Sequence, residues 1–492
     1  MYQIIYSKQE TVMGKIEELE PRSVFRYFNE LTKIPRGSGH EKAVSDRLIE
    51  FASKRGLIAY QDQLNNVTIL KPATSGMEDK ETVILQAHMD MVCVADDASA
   101  DMTKAPIKPC IDGDYIKAEG TSLGADDGIG VAFILALLDS EDISHPMLEA
   151  VFTTGEEVGL GGAIGYDCSR IKGTRFINLD SEVENEIVVG CAGGCRCEIS
   201  SKCKNTKTEG NIYEVTISGL TGGHSGTDIE KGTANANVLM GRLLDMASAS
   251  VEMALGSYKG GTKDNAICPA ASATIVVRKK QGKAFEKCVK SFTDDIIAEY
   301  HLADPDLNIK CKDKGKGSLE VIKNKDLIRF ISILNILPNG VIRMNKGLDG
   351  EQMAETSANI GVVNVNPKGF EIVVSLRSNR EPALEWMISK VTKIAECFDI
   401  VPVLRGRYPA WEYHDSDFKQ KARELYEKMF DRKANIVTIH AGLECAVFSK
   451  KIKGMDAISI GPDMEGVHST AEKLSISSTG RIWEYLLELL KL

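Results

Sequence analysis

The chain has 492 residues, 43% of them hydrophobic and 26% charged, so it can bury more than one hydrophobic core and does not have the composition of a disordered protein. Its net charge of −10 and pI near 5.5 argue against nucleic-acid binding, which requires an excess of Lys and Arg. No apolar run approaches the ~20 residues that span a bilayer, and the first twenty residues lack the apolar core of a signal peptide. We therefore expect an intracellular, cytoplasmic protein with no membrane partner, in which the residues before Met13 form an extension.

The first part of the chain alternates helices with short β-branched runs. Helices are predicted at 23–31, 41–54 and 125–138, and strands at 66–70, 82–86, 148–153 and 174–179. Alternation of this kind predicts an α/β layer with a largely parallel sheet and helices on both faces.

The middle of the chain has a different pattern. Strands are predicted at 212–218, 272–277, 308–311, 361–365 and 371–376, and helices at 234–246, 284–300, 327–334 and 383–395. The turn Asn366-Pro-Lys-Gly369 joins two alternating strands and indicates a hairpin. These units predict an α+β insertion of two ferredoxin-like halves in tandem.

The α/β pattern returns near the end, with helices at 416–430 and 478–490 and strands at 436–439 and 457–460. The simplest interpretation is one domain, residues 1–186 and 405–492, interrupted by an inserted domain at 187–404.

Cysteines cluster in the sequence at Cys191, Cys195, Cys197 and Cys203. Their C-x-x-x-C-x-C spacing differs from the paired C-x-x-C of structural zinc sites, so reduced, partly buried thiols are the favoured interpretation.

The strand at 82–86 leads into His88-Met-Asp90. Residues two apart share one face of a strand, so His88 and Asp90 point the same way. Taken alone, this pattern fits a surface turn as well as a site.

A glycine-rich segment, Gly120 to Val131, carries Asp126 and Asp127 just before an apolar helix. An Asp at such a junction can simply be a helix N-cap. A phosphate-binding loop is disfavoured because neither G-x-x-x-x-G-K nor G-x-G-x-x-G fits.

Three further junctions carry acidic or imidazole groups. Glu156 and Glu157 lie on a glycine-rich turn after a buried strand, Asp180 and Glu182 follow another strand, and His468 lies in a late loop. Single histidines are more often structural than ligands. Together, however, these side chains would converge at the carboxyl ends of the strands, and so many carboxylates repel one another unless cations neutralise them. Histidine with carboxylates suits zinc first, then manganese or cobalt.

These segments resemble the motifs of the zinc-dependent aminoacylase/carboxypeptidase/dipeptidase superfamily, and within it those of the aminoacyl-histidine dipeptidases. The resemblance runs from about Ile16 to the C-terminus. It is most specific in six segments, at 85–91, 120–131, 189–194, 222–226, 439–445 and 459–462.

The resemblance implies two zinc ions and a role for each matching residue. His88 and Asp180 would bind one metal, Glu157 and His468 the other, and Asp126 both. Asp90 would orient His88, and Glu156 would be the general base that activates a water between the metals. Relatives often have Asn where Asp127 stands, so Asp127 is interpreted as an acidic variant.

The inserted domain would then be a lid that supplies substrate contacts. His224 resembles the residue that stabilises the tetrahedral oxyanion. Arg377 could bind the carboxylate of a dipeptide, or could be a solvated residue at a strand end. Asn265, His440 and Gly442 would also line the pocket.

Three functions remain open on the sequence. The first is a broad-specificity dipeptidase that includes Xaa-His substrates, the second an N-acyl amino acid deacylase or carboxypeptidase with the same site, and the third a non-catalytic binding protein. The general base Glu156 argues against the third. We expect a homodimer formed through the lid, although a doubled lid could imitate such a dimer within one chain.

Overall fold

The computed structural model describes residues 15–97, 100–348, 350 and 352–492. The predicted extension before Met13 lies outside these residues. Within them the chain divides into two compact units. Unit 1 comprises the described residues up to Val189 with Tyr413–Val437 and Leu443–Leu492, and unit 2 comprises Gly190–Glu412 with Thr438–Gly442.

Unit 1 contains a short 3-10 turn at Ile16–Glu18, seven α-helices and two sheets. Its helices are α1 (Arg22–Leu31), α2 (Lys42–Lys54), α3 (Ala125–Asp139), α4 (Gly161–Gly165), α9 (Asp417–Phe430), α10 (Glu444–Lys451) and α11 (Ile476–Leu489). The larger sheet contains β1 (Ile58–Gln61), β2 (Val67–Lys71), β3 (Val83–His88), β6 (Leu148–Thr153), β7 (Arg175–Asn178), β8 (Glu186–Cys191), β18 (Asn435–Ile439) and β19 (Asp456–Ser459). The smaller sheet contains β4 (Pro109–Asp112), β5 (Tyr115–Ala118), β20 (Met464–Glu465) and β21 (Lys473–Ser475).

The larger sheet has the strand order β1-β2-β6-β3-β7-β19-β8-β18. Its four central strands, β6, β3, β7 and β19, are parallel, whereas β1, β2 and β8 pair antiparallel. Buried side chains alternate across this centre. Leu85 and Ile177 pack into the core that contains α1, α3 and α11, and Gln86 and Phe176 face α10 on the other side. The predicted α/β layer with helices on both faces is confirmed.

Unit 2 is built on one antiparallel sheet of nine strands with four helices. Its strands are β9 (Gly193–Lys202), β10 (Asn205–Ser218), β11 (Met253–Gly260), β12 (Ala271–Val277), β13 (Asn308–Ile322), β14 (Gly340–Lys346), β15 (Gln352–Asn366), β16 (Gly369–Ser378) and β17 (Val403–Tyr408). Its helices are α5 (Ala236–Ser250), α6 (Gly282–Tyr300), α7 (Asn324–Ile336) and α8 (Glu381–Glu396).

The strand order of this sheet, β13-β10-β12-β11-β15-β16-β9-β17, contains the ferredoxin-like order twice. One half is β10-α5-β11-β12-α6-β13, and the other is β9-α7-β15-β16-α8-β17 with the hairpin strand β14 added. The halves are nested and not in tandem, because the first half is inserted between β9 and α7 of the second. They join where β11 pairs with β15.

Two boundaries differ from the sequence prediction. The boundary predicted at 404/405 falls inside β17, which pairs with β9 and so ties the chain to unit 2 as far as Glu412. The segment Thr438–Gly442 also belongs to unit 2, because His440 bonds to Ser357 and Asn379 there.

None of the helices in the described part of the chain combines the length and apolar character that crossing a bilayer requires.

Candidate active site

The candidate site of unit 1 lies where the central parallel strands end. His88 is the last residue of β3, Asp180 follows β7, and Glu156 and Glu157 lie on the turn after β6. Because these three strands are parallel neighbours, their carboxyl ends open at the same edge of the sheet. Asp126 approaches from the start of α3 and His468 from the loop between β20 and β21.

The other four predicted metal ligands lie around Asp126. One of its oxygens, Oδ1, is 2.9 Å from Nε2 of His88, and the other, Oδ2, is 3.0 Å from Nε2 of His468. Asp180 Oδ1 lies 3.5 Å from the same nitrogen of His88, and Glu157 Oε2 lies 3.0 Å from that of His468. The predicted ligands therefore form two sets of donors that share one carboxylate.

Acidic side chains outnumber basic ones at this site. Burial raises the pKa of Asp180 to about 6, and burial together with the Asp126 charge raises that of Glu182 to about 8. Burial lowers the pKa of His468, but Asp126 and Glu157 outweigh it and bring the value to about 11. All three pKa values are raised, which means that the cluster favours the binding of positive charge.

The donor set fits divalent cations. Three groups of ligand atoms lie within 4.8 Å of one another: His88, Asp127 and Asp180; His88, Glu156 and Glu157; and Asp126, Glu157 and His468. Glu157 Oε1 is buried with no hydrogen-bond partner among the described residues, which is costly unless a cation is bound there. Carboxylate oxygens with imidazole nitrogens are ligands for zinc and its first-row neighbours.

Asp90 supports the site from behind. Its carboxylate lies 3.5 Å from Nδ1 of His88, on the side of the ring away from Asp126. It also accepts hydrogen bonds from the Ser38 hydroxyl (2.8 Å) and from the backbone N–H groups of Glu156 (3.1 Å) and Glu157 (3.3 Å). This carboxylate therefore fixes both the imidazole and the glutamate turn.

The two aspartates at the start of α3 have different environments. Asp127 accepts hydrogen bonds from the backbone N–H groups of His88 (3.2 Å) and Gly130 (3.1 Å), so Asp127, and not Asp126, has the cap-like role that the sequence left open. Asp126 turns its carboxylate to the two histidines. The peptide bond between them is cis.

Glu156 is only partly buried, and burial followed by the charges of Glu157 and Asp180 raises its pKa well above the ordinary value, although His88 opposes the shift. A raised pKa makes the Glu156 carboxylate a stronger base than an ordinary glutamate. Its environment suits a general base.

Sequence reasoning missed several buried groups beside these residues. Arg36 and Glu472 are each 2% exposed and form hydrogen bonds with backbone atoms. Glu444 is fully buried and accepts hydrogen bonds from Gln86 and Thr153, both at 2.5 Å. No motif marks Arg36 or Glu472, because backbone carbonyl and N–H groups leave no trace in a sequence.

A second polar cluster lies in unit 2. Arg377, at the end of β16, donates to the Tyr408 hydroxyl at 2.8 Å, and its Nη2 lies 3.4 Å from Nε2 of His224. The backbone N–H of Thr227 donates to Nδ1 of His224 at 3.2 Å. Arg377 is 7% exposed and is therefore not a solvated residue at a strand end.

The other predicted substrate contacts, His440, Gly442 and Asn265, differ in burial and in their bonding partners. His440 is buried and uses both ring nitrogens within unit 2, with Nδ1 2.8 Å from Asn379 Oδ1 and Nε2 2.8 Å from the Ser357 hydroxyl. Gly442 lies against the Tyr408 ring, and Asn265 is exposed. The twelve cysteines, all of which lie among the described residues, form no disulfide, and Cys191, Cys195 and Cys197 are buried, as the sequence favoured.

A carboxylate-rich donor set at the carboxyl edge of a mixed α/β sheet is typical of metal-dependent hydrolases. Comparison with known proteins identifies the family. Residues 84–492 match the model of peptidase family M20/M25/M40, and the chain belongs to this family. It is thus a metallopeptidase, a hydrolase that acts on peptide bonds, and its family is metal-dependent.

Individual relatives match over nearly the whole chain. The cytosol non-specific dipeptidase of Escherichia coli is 36% identical over 484 residues, which cover 97% of this chain and 99% of that protein. The crystal structure of aminoacylhistidine dipeptidase from Vibrio alginolyticus has a TM-score of 0.80 and 34% identity, and covers 97% of this chain and 98% of its own. Aminopeptidase PepT from Bacillus cereus, with a TM-score of 0.53, 17% identity and coverage of 96% and 98%, shares the fold.

Proposed function

We propose that the protein is a di-metal dipeptidase of broad side-chain tolerance, with Xaa-His peptides among its substrates. The observation that carries this proposal is the position of Asp126, whose two oxygens face His88 and His468, the two predicted ligands of different metals. The names of the two relatives that match nearly the whole chain support the dipeptide as substrate.

We propose two zinc ions as cofactors, with manganese or cobalt as substitutes. His88, Asp180 and Asp126 would hold one cation, and Glu157, His468 and Asp126 the other. When bound, such cations supply a nucleophilic hydroxide at neutral pH and polarise the peptide carbonyl.

The proton transfers belong to Glu156. In this proposal it removes a proton from the attacking water and then donates that proton to the leaving amine. Its raised pKa supports the role, because a carboxylate of ordinary pKa would be a weaker base and a poor source of the returned proton.

His224 and Arg377 would act on the substrate. Nε2–H of His224 would donate to the oxyanion that forms at the carbonyl, and the Arg377 guanidinium would bind the C-terminal carboxylate. Recognition of the free C-terminal carboxylate by Arg377 would favour short peptides, because the carboxylate of a longer chain lies far from the bond that is cleaved. Asn265 and Gly442 stay proposed contacts, whereas His440 would act through Ser357 and Asn379.

We also propose that the protein is cytoplasmic, as the name of the Escherichia coli relative suggests. A homodimer through unit 2 stays a prediction. Because β11 and β15 already pair with each other, a sheet-to-sheet dimer would have to use the outer strands β13 or β17 or the added strand β14.

The test is a metal-reconstitution assay. Protein stripped with a chelator would be supplied with zinc, manganese or cobalt and assayed on free dipeptides, N-acyl amino acids and longer peptides. Glu156→Gln should bind metal but lose nearly all turnover, whereas the exposed control Glu141→Gln should match the wild type. Activity on N-acyl amino acids without activity on free dipeptides would refute the dipeptidase proposal, and full activity of Glu156→Gln would exclude Glu156 as the base.

A further inference from the structure

The Arg36 guanidinium is a buried cation at the back of the unit 1 site. It lies in the loop after α1 and is 2% exposed. Its Nη1 donates to the carbonyl oxygens of Met89 and Asp90, both at 2.9 Å, and its Nη2 donates to that of Gly124. One side chain thus joins the segment that follows His88 to the segment that precedes Asp126.

Glycines in the motif around Asp126 make room for this guanidinium. A Cβ atom at Gly124 would lie 2.7 Å from Arg36 Nη2, and one at Gly128 would overlap it. Gly124 also has a φ of +69°, which a larger residue adopts only with strain. Besides allowing the tight turn, Gly124 and Gly128 therefore leave space for the Arg36 guanidinium.

Glu472 holds the same segment from the other side. It is 2% exposed, and its carboxylate accepts the backbone N–H groups of Leu123 (2.7 Å), Gly124 (2.9 Å) and Ala125 (2.7 Å), with that of Asp126 at 3.4 Å. Glu472 follows His468 by four residues. The carboxylate thus connects the loop of one predicted ligand to the backbone of the shared one.

Arg36 and Glu472 together link three ligand-bearing segments, 88–90, 123–126 and 468–472. We propose that they are positioning residues, which fix the Asp126 carboxylate between His88 and His468 so that the site can hold a second cation. The inference rests on the di-metal site proposed above. A shared carboxylate must meet both cations at coordination distance, and supporting contacts are needed to hold such groups within about 0.5 Å.

A purely structural role is the alternative, and it makes a different prediction. Loss of a buried charge with bonds to three backbone groups lowers stability wherever it lies. Loss of the contacts that position Asp126 should in addition weaken the second metal to bind much more than the first. A single cation can draw a displaced Asp126 carboxylate to itself, whereas two cations need that carboxylate between them.

The experiment is a metal titration of stripped protein in competition with a chromophoric chelator. Arg36→Met and Glu472→Gln should keep the affinity of the first zinc within threefold of the wild type and weaken the second at least tenfold. Lys419→Met is the matched control, because Lys419 is also a fully buried cation of unit 1, bonded to Asp456 at 2.6 Å. That variant should lose stability but keep both affinities.

Manganese gives a second readout, because two Mn²⁺ ions that share a carboxylate are magnetically coupled. The coupled electron paramagnetic resonance signal should disappear in Arg36→Met and return in part in Arg36→Lys, which restores the charge but cannot reach all three carbonyls. If Arg36→Met does not fold, the two metal affinities of Glu472→Gln and Arg36→Lys are compared with those of the wild type and of Lys419→Met instead.

The outcomes separate the two proposals. Wild-type protein that binds fewer than two metals refutes the di-metal site itself. Two metals in the wild type with both affinities unchanged in folded Arg36 and Glu472 variants, or weakened equally in these and in Lys419→Met, overturns the positioning role alone.

Discussion

Replacement of Tyr408 by Phe tests how Arg377 is held. The Tyr408 hydroxyl accepts a hydrogen bond from Arg377 Nη1 at 2.8 Å, and its ring fits between two glycines. A Cβ atom at Gly194 would lie 2.5 Å from the Tyr408 hydroxyl oxygen, and one at Gly442 would lie 2.8 Å from a ring carbon. The ring is therefore confined, and Tyr408→Phe should remove the hydroxyl without moving the ring.

The magnitude follows from that single bond. A hydrogen bond to a charged group contributes about 1.5–3 kcal/mol, and part of this is recovered when the freed guanidinium bonds to water. We therefore expect a loss of about 1.4 kcal/mol in transition-state binding, which corresponds to a tenfold lower kcat/KM for a free dipeptide. The loss should lie mainly in KM, because a carboxylate clamp binds substrate and transition state alike.

The assay compares a dipeptide with its C-terminal amide, which has no carboxylate for Arg377 to bind. Tyr408→Phe should weaken kcat/KM for the free acid and leave that of the amide unchanged, and it should have no effect in an Arg377→Met background. Tyr213→Phe is the control, since it removes a hydroxyl bonded to Glu286 elsewhere in unit 2. An equal loss on acid and amide would refute the argument.

Three further predictions follow from the structure. Burial lowers the pKa of His440 to about 3, below the 6.5 of an unfolded histidine, so the folded protein holds this ring in its neutral form. The free energy of unfolding is therefore unaffected by the titration of His440 above pH 6.5 and decreases by about 1.4 kcal/mol per pH unit as the pH falls from 6.5 to 3. Urea unfolding at pH 7 and pH 5 should show a decrease of about 2 kcal/mol in the unfolding free energy of the wild type that is absent in His440→Gln. An equal pH dependence of the unfolding free energy in the two proteins would contradict this prediction. Metal at 100 times its Kd should stabilise the fold by about 2.7 kcal/mol, so removal of metal should lower the melting temperature of the wild type. Scanning fluorimetry during a zinc titration measures this shift, and a constant melting temperature would show that the acidic cluster binds no cation. Light scattering should give the mass of a dimer, and a single-chain mass at micromolar concentration would exclude the predicted lid-mediated dimer.

Much of the site could be predicted from the sequence because each of its parts ends a recognisable element. His88 ends one apolar strand, Asp180 and the pair Glu156 and Glu157 follow two others, and the carboxyl ends of neighbouring parallel strands meet at one edge of the sheet. No single motif was decisive. The informative signal was the recurrence of acidic residues at several of these junctions, since uncompensated carboxylates do not converge without cations.

The supporting residues could not be predicted for a physical reason. Arg36 and Glu472 act on backbone carbonyl and N–H groups, which every residue possesses, and Tyr408 acts on another side chain. Contacts of this kind depend on the folded path of the chain. The nearest signal was the glycine spacing around Asp126, which indicates close approach but does not name the group that approaches.

The nesting of unit 2 was also beyond sequence reasoning, although its element types were predicted. The second ferredoxin-like half begins with β9, whose first two residues are glycines with little β propensity. It ends with β17, which is largely exposed and carries Arg405 and Arg407. Because the first and last strands of that half along the chain were not recognised, the remaining elements were interpreted as consecutive units. Strand pairing decides between tandem and nested halves, and in an antiparallel sheet pairing is set by long-range packing. The alternation of apolar residues, which fixes only the face that each strand buries, leaves it open.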